Sequence, residues 1–114
     1  MTSSPPEADG RRRAEQFLRL LAEDGAASEQ LLAGLTDLRD LAFLGAGLTA
    51  LARSESRELP PAQRAQASTR QVRLGTLRDA NRDDAAGLRT WLRQAGEEVL
   101  FVRALLGTSR AAAP

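Results

Sequence analysis

Apolar residues recur at three- and four-residue spacing along almost the whole chain, and no stretch alternates convincingly with a period of two. β-Branched residues are few. That pattern predicts helices throughout and no sheet. A first helix is expected from Gly10 to Asp24, with Asp9 as N-cap and Gly25 placed where a left-handed residue would end it. Its apolar stripe is Ala14, Phe17, Leu18 and Leu21, while Glu15 and Arg19 form an i,i+4 pair outside.

A second helix is expected from Ser28, as N-cap, to near Arg53. Leu41, Leu44, Leu48 and Leu51 lie on one side of it. At about 100° per residue, Ala42, Gly45, Ala46, Thr49 and Ala50 share much of the opposite side. A leucine face and a small-residue face can both be buried, which predicts that this helix is the central element.

Ser54–Pro60 reads as a charged loop, and Pro61 suits the first turn of a third helix. From there to Leu106 only Gly75, Asn81 and Gly87 weaken the pattern. Either one helix of about 45 residues runs here, or two meet near Asn81–Asp84, with Asn81 or Asp83 as the next cap. Asp84 is a further capping candidate. The break is favoured, because a helix much longer than about 25 residues would outreach the first two.

The fold class is therefore all-α, a small bundle of three to four helices, with a long C-terminal helix if the break is absent. One domain spans residues 10–107 between disordered tails at 1–9 and 108–114.

The last segment is the richest in large apolar groups. Leu88, Trp91, Leu92, Ala95, Val99, Val102 and Leu106 form one stripe, and Phe101 and Leu105 lie off it. That is more apolar surface than one neighbouring helix would cover. The surplus predicts a homo-oligomer or a helical protein partner, with Leu88, Trp91, Leu92, Val99, Phe101, Val102, Leu105 and Leu106 as the interface.

Composition narrows the chemistry. The chain has no His, Cys, Lys or Tyr, which supply most catalytic nucleophiles, general bases and metal ligands. An enzyme is not expected, nor is a metal or cofactor. The acidic pairs Glu23-Asp24, Asp83-Asp84 and Glu97-Glu98 are the remaining acid–base candidates, but neighbours on a helix point about 100° apart.

All 16 basic residues are Arg, balanced by 15 acids to a net charge of +1. Ile and Lys, which AT-rich codons encode, are absent, pointing to a GC-rich bacterial genome that raises Arg content without a ligand. On one continuous helix, Arg64, Arg78, Arg82, Arg89, Arg93 and Arg103 would still fall within about 80° of each other. Such a stripe could follow phosphates, so the alternative function is a nucleic-acid-associated helical subunit of a larger complex. The simpler reading is a solvated face neutralised by Asp79, Asp83 and Glu97, and the aromatic residues a single-strand binder stacks on are missing.

Residues 1–10 lack the apolar stretch of a secretory signal, and the apolar run Leu41–Ala52 is short of the roughly 20 residues a membrane span needs. The expectation is a cytoplasmic, non-enzymatic assembly or adaptor module, with membrane association through Leu41–Ala52 ranked lower.

Overall fold

The computed structural model describes residues 6–112, all side chains from 8 to 108 included. Within them the chain forms five helices: α1 (Pro6–Glu23), α2 (Gly25–Gly34), α3 (Leu38–Ser56), α4 (Pro61–Ala80) and α5 (Ala85–Ala112). The all-α bundle stands, with five helices in place of three or four. The first helix starts at Pro6, so residues 6–9 extend it rather than forming a tail, and Asp9 pairs with Arg12 at 3.2 Å instead of capping. The last helix likewise takes in residues 108–112 of the expected C-terminal tail. The remainder of both expected tails, 1–5 and 113–114, lies outside the described residues.

The extra helix comes from local hydrogen bonding at two aspartates. Asp24 accepts from Ala27 N at 3.1 Å and starts α2, so Gly25 opens a helix rather than closing one in a left-handed conformation. Ser28, the expected cap, is buried inside α2 and donates to Gly25 O at 2.7 Å. α2 then ends at Gly34; Leu35 turns extended, and Asp37 accepts from Arg39 N at 2.8 Å to start α3. One expected helix is thus two.

The break between the last helices falls where expected. Asn81 ends α4 and its side-chain amide donates to Leu77 O at 2.8 Å. Asp84, rather than Asn81 or Asp83, caps α5 by accepting from Ala86 N at 3.2 Å.

α3 and α5 form the most extensive helix pair, with α1 across both. The leucine face of α3 (Leu41, Leu44, Leu48, Leu51) meets Leu88, Trp91, Leu92, Ala95 and Val99 of α5, and Ala14, Phe17 and Leu18 of α1. Each large side chain so buried contributes about 1.5–3 kcal/mol.

Three glycines set the crossings by close approach, none with positive φ. A Cβ on Gly47 would lie 2.5 Å from Gly10 O of α1, and one on Gly96 would lie 2.9 Å from the Phe17 ring. One on Gly45 would enter the Trp91 ring.

α4 is attached differently. Ala67 is its single buried residue, packed with Leu59, Val102 and Leu106 in a small second cluster. Leu74 and Leu77 reach the main core only half-buried. Polar links do the rest: Arg70 Nε donates to Glu98 Oε1 at 2.6 Å, and Gln71 Nε2 reaches Ala52 O and Ser56 Oγ at 3.4 Å.

Candidate functional site

The expected protein interface on the last helix is largely the inside of the molecule. Leu88, Trp91, Leu92, Val99, Val102 and Leu106 are all buried by the chain's own helices. Leu105 is half-buried against the second cluster, and Phe101 alone stands out, at 48% exposure. The stripe has three neighbours, α1, α3 and α4, and they absorb the apolar surplus. Six of the eight are therefore covered within the folded chain, leaving Phe101 and part of Leu105 at its surface.

The arginine stripe is likewise dispersed, because the break at Asn81–Asp84 turns α5 away from α4 and most of the six meet carboxylates or carbonyls. Arg89 donates from Nε to Leu32 O at 3.0 Å and from Nη2 to Leu35 O at 3.1 Å. It thereby adds a second bond to Leu32 O, which also accepts from Leu35 N at 3.1 Å, and holds the Leu35 carbonyl just beyond the end of α2. Arg93 grips Glu29 with two bonds of 2.7 Å, and this contact holds the Glu29 carboxyl below the usual range and raises the arginine.

Arg103 joins three helices. It takes Glu55 of α3 at 2.7 and 2.9 Å and Glu15 of α1 at 2.5 and 3.1 Å. The Glu55 bonds, then those of Glu15, raise its pKa further against the opposing effect of burial. Glu15 therefore serves this clamp rather than the expected surface pair with Arg19. Arg78 and Arg82 both hold Asp79, at 3.1 and 3.4 Å, and lower its carboxyl, Arg78 more strongly. Of the six side chains, only that of Arg64 has neither an ion pair nor a hydrogen bond among the described residues.

What remains open is a face the periodicity had assigned to the interior. Of the small residues on α3, Gly45 is buried under Trp91, but Ala42, Ala46 and Ala50 are exposed. Beside them α4 contributes Ser68, Gln71, Val72, Leu74, Gly75 and Arg78, of which Leu74 alone packs on the core, so the space next to α3 is not filled. The result is a cavity of about 230 Å³ between α3 and α4, with Val72 67% exposed on its wall. A second cavity of about 310 Å³ along Ala42, Ala46 and Ala50 shares Thr49, Arg53, Arg78 and Trp91 with it, making one continuous groove.

The edge of the Trp91 ring closes its floor. No Asp or Glu lines either part. From Ala42 to Arg53 the groove follows α3 for about 16 Å, three helical turns.

A second, shallower cleft lies on the other side of α4, where the Arg70 guanidinium sits over the Phe101 ring at 4.7 Å and beside Arg73, Gln94 and Glu97. Glu98 is 6% exposed, and its Oε2 and Arg70 Nη2 are buried without partners. Arg70 and Glu98 face each other through one bond where a guanidinium and a carboxylate can make two, and the pair links α4 to α5.

The groove could not have been found from periodicity alone. Its signal was the mismatch between a small-residue face on α3 and a following helix poor in large apolar groups.

Among the described residues, no group of three or more His, Cys, Asp or Glu is placed to hold a metal ion. No helix there is long and apolar enough to cross a membrane. Compared with protein-family models, curated proteins and solved structures, the chain matches none.

Proposed function

We propose that this chain is a non-enzymatic protein-interaction module whose docking surface is the α3–α4 groove rather than the last helix. One observation carries the reading: a three-turn groove with walls of Ala42, Ala46, Ala50 and Val72 and the only tryptophan as its floor. Small side chains let an incoming backbone approach closely, which shortens the distance at which helices pack. Aromatic residues at the bottom of a pocket are the usual anchors of protein interfaces. The exposed edge of the groove offers no paired carboxylates, hydroxyl–base pair or other reacting set.

A photo-crosslinking residue at Ala46 tests this in the native cell. It is expected to yield a defined adduct with another protein, whereas the same residue at exposed Gln30 of α2 does not. Ala50→Arg, which fills the groove from an exposed position, should abolish the adduct while leaving the helical content unchanged. No adduct at Ala46 would overturn the assignment.

The alternative, a nucleic-acid-associated subunit, has less support. Arg89, Arg93 and Arg103 of its stripe are engaged in holding helices together. Its signature would be salt-dependent DNA or RNA binding that Arg64→Glu abolishes.

A further inference from the structure

The charges around the groove say what kind of helix fits it. On the exposed face of α3 centred on Ala46, Arg39, Ala42, Ala50, Arg53 and Arg57 fall within about 60°, and no acid does. The face is basic, then small, then basic. Arg39, Arg53 and Arg57 are exposed and make no ion pair among the described residues, unlike Arg93 and Arg103 of α5. Arg78 adds positive charge on the α4 wall, though Asp79 partly offsets it.

This arrangement disfavours a second copy of the chain. If α3 paired with itself about a two-fold axis, the antiparallel arrangement would set Arg53 against Arg39 of the other copy. The parallel arrangement would set each arginine against its own equivalent. Like charges meet either way, and such juxtaposition is a means of rejecting partners.

We infer that the occupant is a helix of a different protein, with carboxylates at both ends of a stripe of small apolar residues. The inference rests on the groove being a docking surface. Arg39 and Arg53 are fourteen residues apart, about 21 Å along α3, so the matching carboxylates stand about four turns apart.

Trp91 is the only tryptophan, and its emission reports on the groove directly. The probe is a synthetic helical peptide with an Ala/Leu stripe and glutamates fourteen positions apart, compared with its glutamine counterpart. The glutamate peptide is expected to shift the Trp91 emission saturably, and the glutamine peptide to bind about tenfold more weakly, a difference that shrinks at high salt. Arg39→Glu combined with Arg53→Glu should reverse the preference toward a lysine peptide.

Equal affinity for both peptides, or no shift in emission with either, would overturn the inference. So would a dimer crosslinked to itself through Ala46, or preferential binding of single-stranded DNA or anionic vesicles by the same arginines. An Ala46 adduct with a protein whose contacting helix lacks acids would remove the charge argument and leave the docking surface standing. Absence of any adduct removes both.

Discussion

Two parts of this molecule are held together by different forces. α1, α3 and α5 interlock through Phe17, Leu48, Leu92 and Val99, all fully buried, and bring their backbones together at Gly47 and Gly96. α4 fully buries one alanine, packs Leu74 and Leu77 half-buried on the core, and is otherwise retained by one ion pair and two long amide bonds. Burial of large apolar groups is worth more than such polar links, whose formation largely exchanges water contacts for protein contacts. The contrast shows how a groove can persist beside a well-packed core: the helix next to α3 lacks the side chains to close over it.

The contrast breaks most visibly when each part is cut separately. Leu48→Ala should cost about 2–5 kcal/mol and lower the single unfolding transition of the whole chain, measured by chemical denaturation. Glu98→Ala leaves Arg70 half-buried without its carboxylate and should cost about 2 kcal/mol, less than a fully buried pair because Arg70 keeps 29% exposure. Its effect should also be local. Amide hydrogen exchange is expected to speed up in α4 while α1, α3 and α5 stay protected. Uniform acceleration in all helices would show that α4 is part of the core unit after all.

Arg103→Ala probes the polar side of the core and should cost about 1–2 kcal/mol, since it leaves Glu15 and Glu55 close together without a cation. Arg103→Lys should recover only part of that, because an ammonium cannot grip two carboxylates with a planar fork. Full recovery by lysine, in the same denaturation experiment, would reduce the clamp to a point charge.

The smallest effect is a pH dependence. Arg93 lowers the Glu29 carboxyl, so the folded state binds this proton less readily than the unfolded state. The contribution is complete above the ordinary glutamate value of about 4.3 and is lost as pH falls through the lower folded value. At an exposed site it should reach only about 0.5 kcal/mol, and Arg93→Ala should remove it. NMR titration of Glu29 in both proteins checks the sign.

Much of the local structure was legible in the residues. The leucine face of α3, the stripe of α5 and the break at Asn81–Asp84 all follow from spacing and capping chemistry. The split between α2 and α3 was also written locally, in Gly34 followed by Asp37, but helical periodicity on both sides masked it. Arg89 reinforces that split from 57 residues away by holding Leu32 O. Most of the expected interface on α5 is covered by the chain's own helices for a different reason. Its residues are apolar, but spacing does not say how many helices will cover them. Within the arginine stripe, Arg78 and Arg82 pair with neighbouring Asp79, but the partners of Arg93 and Arg103, Glu29, Glu15 and Glu55, come from α2, α1 and α3 and are invisible to spacing.

By itself, then, the sequence determined the helices, their apolar faces and an inventory without the usual catalytic groups. Those properties depend on hydrogen bonds and side-chain spacing within one or two turns. Only the tertiary structure decided which arginines are spent on structure, which apolar surface is covered, and which small face of α3 stays open. Each of these depends on groups brought together from distant parts of the chain, where packing volume and charge pairing, rather than local periodicity, set the outcome.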